Sequence, residues 1–330
     1  MKPSDTNPPK GRGHKAARPR EIPGRGWKDI ALRVKDQLKY DHIQVVAAGV
    51  AFYFFLAHFP TLAAAISIYG LLTEPAQAQQ QITQLSGMLP EQAHQMISSI
   101  MAGMAEKSGS TLGWSVAISI LLSLWSANKG TSALFEGVNV AYDEIDERNM
   151  IQKYATTLLF KLGGIVLGII GLAIVAGFPA VVGSLNLSPA LETTIQLLRW
   201  PIVVGLLILA LSLVYKKAPD RSDPKFKWVS WGSVCAALVW LLGSLLFTLY
   251  VNNFGSYDQT YGSFAAVIIL MLWFFLTAFI VLLGAEINSE MEHQTRIDTT
   301  VGPDAPMGQR GAYHADHLAD GSEGGSYGHR

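Results

Sequence analysis

Apolar and polar positions fall into long blocks along this chain rather than into short alternations. Two apolar runs in the last third, residues 229–250 and 263–285, each hold more than 20 residues without a charge. At about 1.5 Å of rise per residue, such a helix covers roughly 30 Å of hydrocarbon. A polar hinge separates them, Val251-Asn252-Asn253-Phe254-Gly255-Ser256-Tyr257-Asp258-Gln259-Thr260-Tyr261-Gly262. The pair therefore predicts a membrane hairpin, and four earlier apolar runs extend the pattern: 45–69, 112–126, 162–182 and 197–215. The expected fold class is all-α, a polytopic membrane protein with six transmembrane helices, short amphipathic helices and disordered tails.

The segments between the spans refine this outline. Residues 1–26 are rich in Pro, Gly, Arg and Lys, with little to bury, and read as a disordered basic tail. No apolar signal-peptide core precedes Ile43, so the first span is expected to remain as an uncleaved anchor. The membrane domain covers 27–293. In 27–40, Trp27, Ile30, Ala31, Val34 and Leu38 recur at helical spacing beside Lys28, Arg33, Lys35 and Lys39. Both an interfacial helix on an anionic leaflet and a juxtamembrane helix packed on protein fit that pattern.

Span one contains His58 and Pro60, and the proline removes a backbone hydrogen bond from the helix. Residues 71–111 predict an extracytoplasmic loop with two short amphipathic helices, the second starting at Pro90-Glu91. After span two a helix continues to Tyr142, with Leu134, Val138, Ala141 and Ile145 on one face. Asp143, Glu144, Asp146 and Glu147 then read as a solvated acidic exit. Gly164, Gly168 and Gly171 in span three are small residues that let helices approach, and packing within the chain is expected. Residues 294–330 are polar and glycine-rich and read as a disordered tail, whose His314 and His317 suggest only adventitious metal contact.

Charge settles orientation more than solubility. The 330 residues carry 25 Lys+Arg and 25 Asp+Glu, 15% charged overall, low against about 25% in soluble domains. Successive segments outside the spans hold eleven, one, four, one, five, none and three Lys or Arg. That unbroken alternation predicts both termini in the cytoplasm and the polar hinge outside. The one cysteine, Cys235, lies in an apolar run and reads as a packing residue.

Ionisable and amide side chains at membrane depth are expensive, so they are the candidate functional residues. Candidate substrate-binding positions are His58 beside Pro60, Asn128 and Lys129 after span two, and Asn252, Asn253, Tyr257, Asp258 and Tyr261 in the hinge. Glu286 and Asn288 at the end of span six complete the set. Each has a plainer reading. The hinge residues also suit a tight outer turn, His58 suits packing, and Glu286 suits hydration or pairing with the lysines of 216–227. No catalytic residue, cofactor or metal site is predicted, and no Walker A, dinucleotide or nucleophile-elbow motif occurs.

Several blocks, in order, carry a family resemblance: Ala47-Ala48-Gly49-Val50-Ala51-Phe52-Tyr53 leading to Phe59-Pro60; Leu124-Trp125-Ser126-Ala127; Asn139-Val140-Ala141-Tyr142; and Leu198-Arg199-Trp200-Pro201. Tyr215-Lys216-Lys217-Ala218-Pro219, Tyr250-Val251-Asn252-Asn253-Phe254-Gly255-Ser256-Tyr257, Thr260-Tyr261-Gly262-Ser263 and Gly284-Ala285-Glu286-Ile287-Asn288 follow. Together they resemble the YihY/BrkB family of bacterial inner-membrane proteins, also labelled ribonuclease BN-like. The resemblance implies a six-helix protein of the bacterial plasma membrane, linked by name to virulence and serum resistance, with transport suggested for members. His58 departs from the apolar residue expected just before Phe59-Pro60. The reading favoured is a permease or exporter for a small solute or envelope component. The alternative is a non-catalytic envelope-integrity protein binding lipids or partners, with a ribonuclease least favoured. Expected partners are membrane lipids and an unknown small solute, and no nucleic acid. Six spans make a small transporter, which admits a homo-oligomer.

Overall fold

The computed structural model describes residues 11–72, 114, 118, 128–178, 182, 188–253 and 263–319. These form long helices: α1 (Gly24–Tyr40), α2 (Ile43–Leu72), α3 (128–141), α4 (Met150–Leu172, prolonged by a π turn over Ala173–Gly177) and α5 (Pro189–Lys217). They continue with α6 (Phe226–Asn253), α7 (Ser263–His293) and the single turn α8 (Tyr313–Asp316). No strand occurs among the described residues beyond an isolated bridge between Pro224 and Thr300.

Four described helices are long and apolar enough to cross a membrane: Met150–Val175, Pro189–Lys217, Phe226–Val251 and Phe264–His293. A fifth candidate is the pair Gly24–Tyr40 and Ile43–His58, bent by 62° at the break. The fold is thus all-α and multi-pass. Expected span two falls almost wholly outside the described residues, as do the loop helices of 73–111 and the hinge tip.

The chain divides into two compact units. The first comprises Met1–Ala47, Leu134–Leu246 and Thr277–Arg330; the second comprises Ala48–Ala133 and Phe247–Leu276. In the first unit, α6 and α7 cross at glycines. A Cβ on Gly232 would lie 2.3 Å from the Gly284 carbonyl oxygen, and one on Gly284 would lie 2.2 Å from the Tyr215 hydroxyl. Tyr215 uses that hydroxyl to donate to the Val281 carbonyl at 2.8 Å. Ser212 and Ser233 join α5 to α6 by a buried hydroxyl pair at 2.8 Å. In the second unit Phe54 stacks on Phe274, and Phe247 packs on Trp273.

Helix α1 answers the question left open by its pattern. Ile30 and Val34 are buried with Ala16, Ile22, Trp228 and Met291, so the helix packs on protein while Lys28, Lys35 and Lys39 stay exposed. Helix α3 ends at 141 in a Schellman arrangement, with Glu144 N–H donating to Asn139 O and Asp143 N–H to Val140 O. Asp143 takes the left-handed position at φ 53°. Ile145, expected on the buried face, is exposed because the helix has already stopped.

Two expectations need correction. Gly164, Gly168 and Gly171 do not serve close packing among the described residues, where a Cβ on any of them meets nothing within 4 Å. Residues 294–319 also differ from a disordered tail: Thr295, Asp298, Thr299, Arg310, His314 and Ala315 are buried. Composition misleads here because the segment is held by polar contacts rather than apolar area. Thr295 Oγ donates to Ala16 O, Lys225 N–H to Thr299 O, Val301 N–H to Asp223 O and Ala319 N–H to His293 O. Residues 11–22 take part in the same cap, with Gln294 Nε2 donating to Arg12 O at 2.7 Å.

The glycine crossing makes a paired prediction. Gly232→Ala should cost about 1–3 kcal/mol through overpacking and lower the melting temperature of the detergent-solubilised protein. Gly168→Ala, facing open space, should leave it unchanged or slightly raised through better helix propensity. Equal melting temperatures for the two variants would contradict the crossing.

Candidate functional site

Helix α7 has 31 residues, so it extends roughly 46 Å, longer than the hydrocarbon core. Its final turns leave the apolar pattern, and Glu286, Asn288, Ser289, Glu290, Glu292 and His293 are all buried there. Three other elements of the first unit bring polar groups to the same place. They are the α1–α2 break at Asp41, the αL exit of α3 at Asp143, and the C-terminal segment at His314.

Spacing of three and four residues puts Glu286, Glu290 and His293 along one face of α7. Arg33 of α1 donates from Nε to Glu290 Oε2, and its Nη2 reaches Gln294 Oε1 at 2.7 Å. The other Glu290 oxygen, Oε1, is buried without a hydrogen-bond partner. His293 and His314 pack ring against ring, with centroids 4.8 Å apart. His314 Nε2 lies 3.1 Å from Asp143 Oδ2. Glu144 accepts the Tyr313 N–H at 2.7 Å, so the acidic exit of α3, expected as a solvated loop, receives the C-terminal segment.

Beside this cluster Arg221 forms a two-pronged ion pair with Glu292, at 2.6 and 3.2 Å, with both side chains fully buried. The guanidinium lies 4.3 Å over the Tyr142 ring, and Thr299 Oγ donates to Glu292 Oε2 at 2.7 Å. Such a pair is stable because each charge finds fixed partners that replace water.

Glu286 faces Asp41, and among the described residues no donor reaches either of its carboxylate oxygens. Two carboxyl groups set close together favour keeping a proton on one of them. Burial first, and then the charge of Asp143, push the Asp41 carboxyl up to about 6, while His314 nearby acts in the opposite sense. Glu286 therefore does not pair with the lysines of 216–227. Asn288 is a structural clamp: its Oδ1 accepts the Gly232 N–H at 2.8 Å and its Nδ2 donates to Val229 O at 3.2 Å.

The remaining candidates lie elsewhere. His58 belongs to the second unit, where its half-buried ring meets Phe274 edge-on, centroids 6.0 Å apart. Asn128 and Lys129 open α3 in that unit, the lysine exposed. Asn252 and Asn253 end α6, and Tyr257, Asp258 and Tyr261 lie outside the described residues. A separate pocket of about 420 Å³ in the first unit is lined by Arg18, Pro19, Arg20, Lys227, Ser230 and Trp231.

A family model described as "Virulence factor BrkB" matches residues 34–307, most of the chain, including Asp41, Asp143, Glu286, Glu290 and His293 but not Arg33 or His314. The chain belongs to the BrkB family. Among relatives, it is similar to a "putative ribonuclease-like protein YfkH" of Bacillus subtilis, 27% identical over 260 residues, covering 77% of this chain and 92% of that protein. It is also similar to "UPF0761 membrane protein ACIAD3168" of Acinetobacter baylyi, 27% identical over 281 residues, covering 83% of this chain and 65% of the relative. The "UPF0761 membrane protein IL2447" of Idiomarina loihiensis is 29% identical over 168 residues, covering 49% and 56%. No solved structure matches. BrkB-family membership and the apolar helices together make this a multi-pass membrane protein.

The Asp41 environment predicts a pH dependence. Its folded value, about 6, lies above the ordinary 3.8, so the native chain holds a proton that the unfolded chain releases between those values. Stability from that proton is full below pH 3.8 and lost as pH rises through 6. Glu286 and Glu290 of α7, Asp143 of α3 and His314 of the C-terminal segment are the groups facing it. Asp41→Asn should raise the melting temperature at pH 7.5 by about 2–4 °C and leave it nearly unchanged at pH 4. A larger gain at pH 4 than at pH 7.5 would contradict the assignment.

Proposed function

We propose that this BrkB-family protein is a permease or exporter for a small solute or envelope component in the bacterial inner membrane, and that it is not an enzyme. The observation that carries the reading is the buried set Glu286, Glu290, His293 and His314, edged by the half-buried Asp41 and Asp143, at the end of otherwise apolar helices. Groups that exchange protons or bind cations are costly there, and a coupled transporter uses them. The carboxyl pair Asp41–Glu286 is the candidate proton-exchanging element, because the half-buried Asp41 beside the buried Glu286 holds its proton to a higher pH than a free carboxyl does. On this reading both termini lie in the cytoplasm. That orientation is supported by the alternating Lys and Arg counts and by the mutual contacts of residues 11–22, 218–225 and 294–319, which need one common side.

Ribonuclease action fits poorly with this geometry. Glu290 and His314 are almost wholly covered by protein, so a polynucleotide has no access to them. The non-catalytic reading, an envelope protein that binds lipids, has its own support in the basic pocket of Arg18, Arg20 and Lys227 beside Trp231, where an anionic headgroup fits.

Reconstituted liposomes separate the two. With a panel of small ionic and neutral solutes loaded inside, a pH gradient should accelerate the flux of at least one. Glu286→Gln should reduce that flux about ten-fold or more while the melting temperature holds. Flux that ignores both the gradient and Glu286→Gln, with anionic-lipid binding lost in Arg18→Ala/Arg20→Ala, would instead establish the lipid-binding reading.

A further inference from the structure

The C-terminal segment reaches α7 at one point where several side chains with lone pairs converge. One donor atom each from Glu290, His293 and His314 lies within 4.8 Å of the others, and all three residues are buried. Two of these residues come from one helix and the third from a segment 21 residues further on, so local sequence alone does not force them together.

The hydrogen bonding there is incomplete in a telling way. Among the described residues Glu290 Oε1, His293 Nδ1 and His314 Nδ1 are all buried without a hydrogen-bond partner, although His293 Nδ1 stands 3.7 Å from Glu290 Oε2. A buried polar atom left unpaired costs about 1–3 kcal/mol, so three in one place call for a ligand that accepts lone pairs. Their other atoms are already oriented. Arg33 holds Glu290 through Oε2, and Asp143 Oδ2 stands 3.1 Å from His314 Nε2, which leaves the His314 Nδ1 without a protein partner of its own among the described residues. A carboxylate behind a ligating imidazole is the usual support of a metal-binding histidine.

Charge points the same way. Asp41, Asp143, Glu286 and Glu290 gather around the imidazoles, and Arg33 is the cation that reaches Glu290. Arg221 is already matched by Glu292. The donor set of two imidazoles and a carboxylate suits a borderline divalent ion such as zinc, manganese or ferrous iron better than calcium or magnesium, which prefer oxygen alone. His317, three residues beyond His314, is exposed and directs Nδ1 to the Tyr313 carbonyl at 2.9 Å, so it stands apart from the group.

We propose that Glu290, His293 and His314 bind one divalent transition-metal ion, which fastens the C-terminal segment to α7. Donor spacings up to 4.8 Å exceed the roughly 3.4 Å edge of a tetrahedral shell with bonds of about 2.1 Å, so the side chains draw inward around the ion. The site shares Glu290, His293 and His314 with the set that supports the transport reading, but it is tested by metal binding alone.

The test uses the full chain in detergent, stripped with chelator and then equilibrated with zinc, with retained metal measured by elemental analysis after gel filtration. One zinc per chain is expected, with a raised melting temperature and slower proteolysis within 294–319. His314→Gln and Glu290→Gln should each weaken zinc binding at least ten-fold, while His317→Gln leaves it unchanged. His314→Gln keeps a hydrogen-bonding side chain at the buried position, so its far-ultraviolet spectrum and gel-filtration profile should match the parent. Zinc retained equally by His314→Gln, or lost only in His317→Gln, overturns the site, as does retention of no zinc by the parent chain.

Discussion

The structure of the first unit depends on keeping two opposite charges, Arg221 and Glu292, entirely out of water. Four pieces of chain meet at that pair: the loop after α5, the last turn of α7, the end of α3 through Tyr142, and the C-terminal segment through Thr299. Removing one partner of such a pair typically costs about 3–5 kcal/mol, because the other is left buried and unmatched. The cost is what makes the arrangement specific.

From that constraint the polar cluster follows. With Glu292 fixed, the adjacent face of α7, on which Glu286 and Glu290 lie four residues apart, is turned toward α1 and the α1–α2 break. Arg33 meets Glu290 there, and Asp41 meets Glu286. The Schellman exit of α3 supplies the other wall, and its left-handed residue is Asp143 where glycine is commoner, which sets a carboxylate against His314. Local backbone geometry, helix packing and the chemistry of the cluster are therefore one problem solved together. The apolar lengths of the same helices answer to the membrane, and their polar ends answer to one another.

Much of this was legible in the sequence. Uncharged runs of more than 20 residues announce membrane helices, and the structure places α2, α5, α6 and α7 over the expected spans. Glu286 stands out in the sequence by its position at the end of an apolar run, and its sharing of a face with Glu290 is legible in the spacing. The rest was not, for physical reasons. Asp41, Asp143 and His314 are distant in sequence and meet only through tertiary contacts. Residues 294–319 look like a solvated tail because composition counts apolar area, whereas this segment is held by backbone hydrogen bonds and ion pairs. Gly164 and Gly168 carry a packing spacing that open surroundings leave unused, while Gly232 and Gly284, with no spacing signature, sit where two backbones touch.

The central claim, that the C-terminal segment is an integral part of the first unit, is tested most directly by amide hydrogen exchange in detergent or nanodiscs. The amides of Val301, Ala305, Tyr313 and Ala319 each donate to a defined acceptor, respectively Asp223 O, Asp298 Oδ2, Glu144 Oε1 and His293 O. Protection at these positions comparable with the last turns of α7 is the expected result. Exchange at the rate of an unstructured peptide across 294–319 would contradict it, and with it the buried cluster on which the functional reading rests.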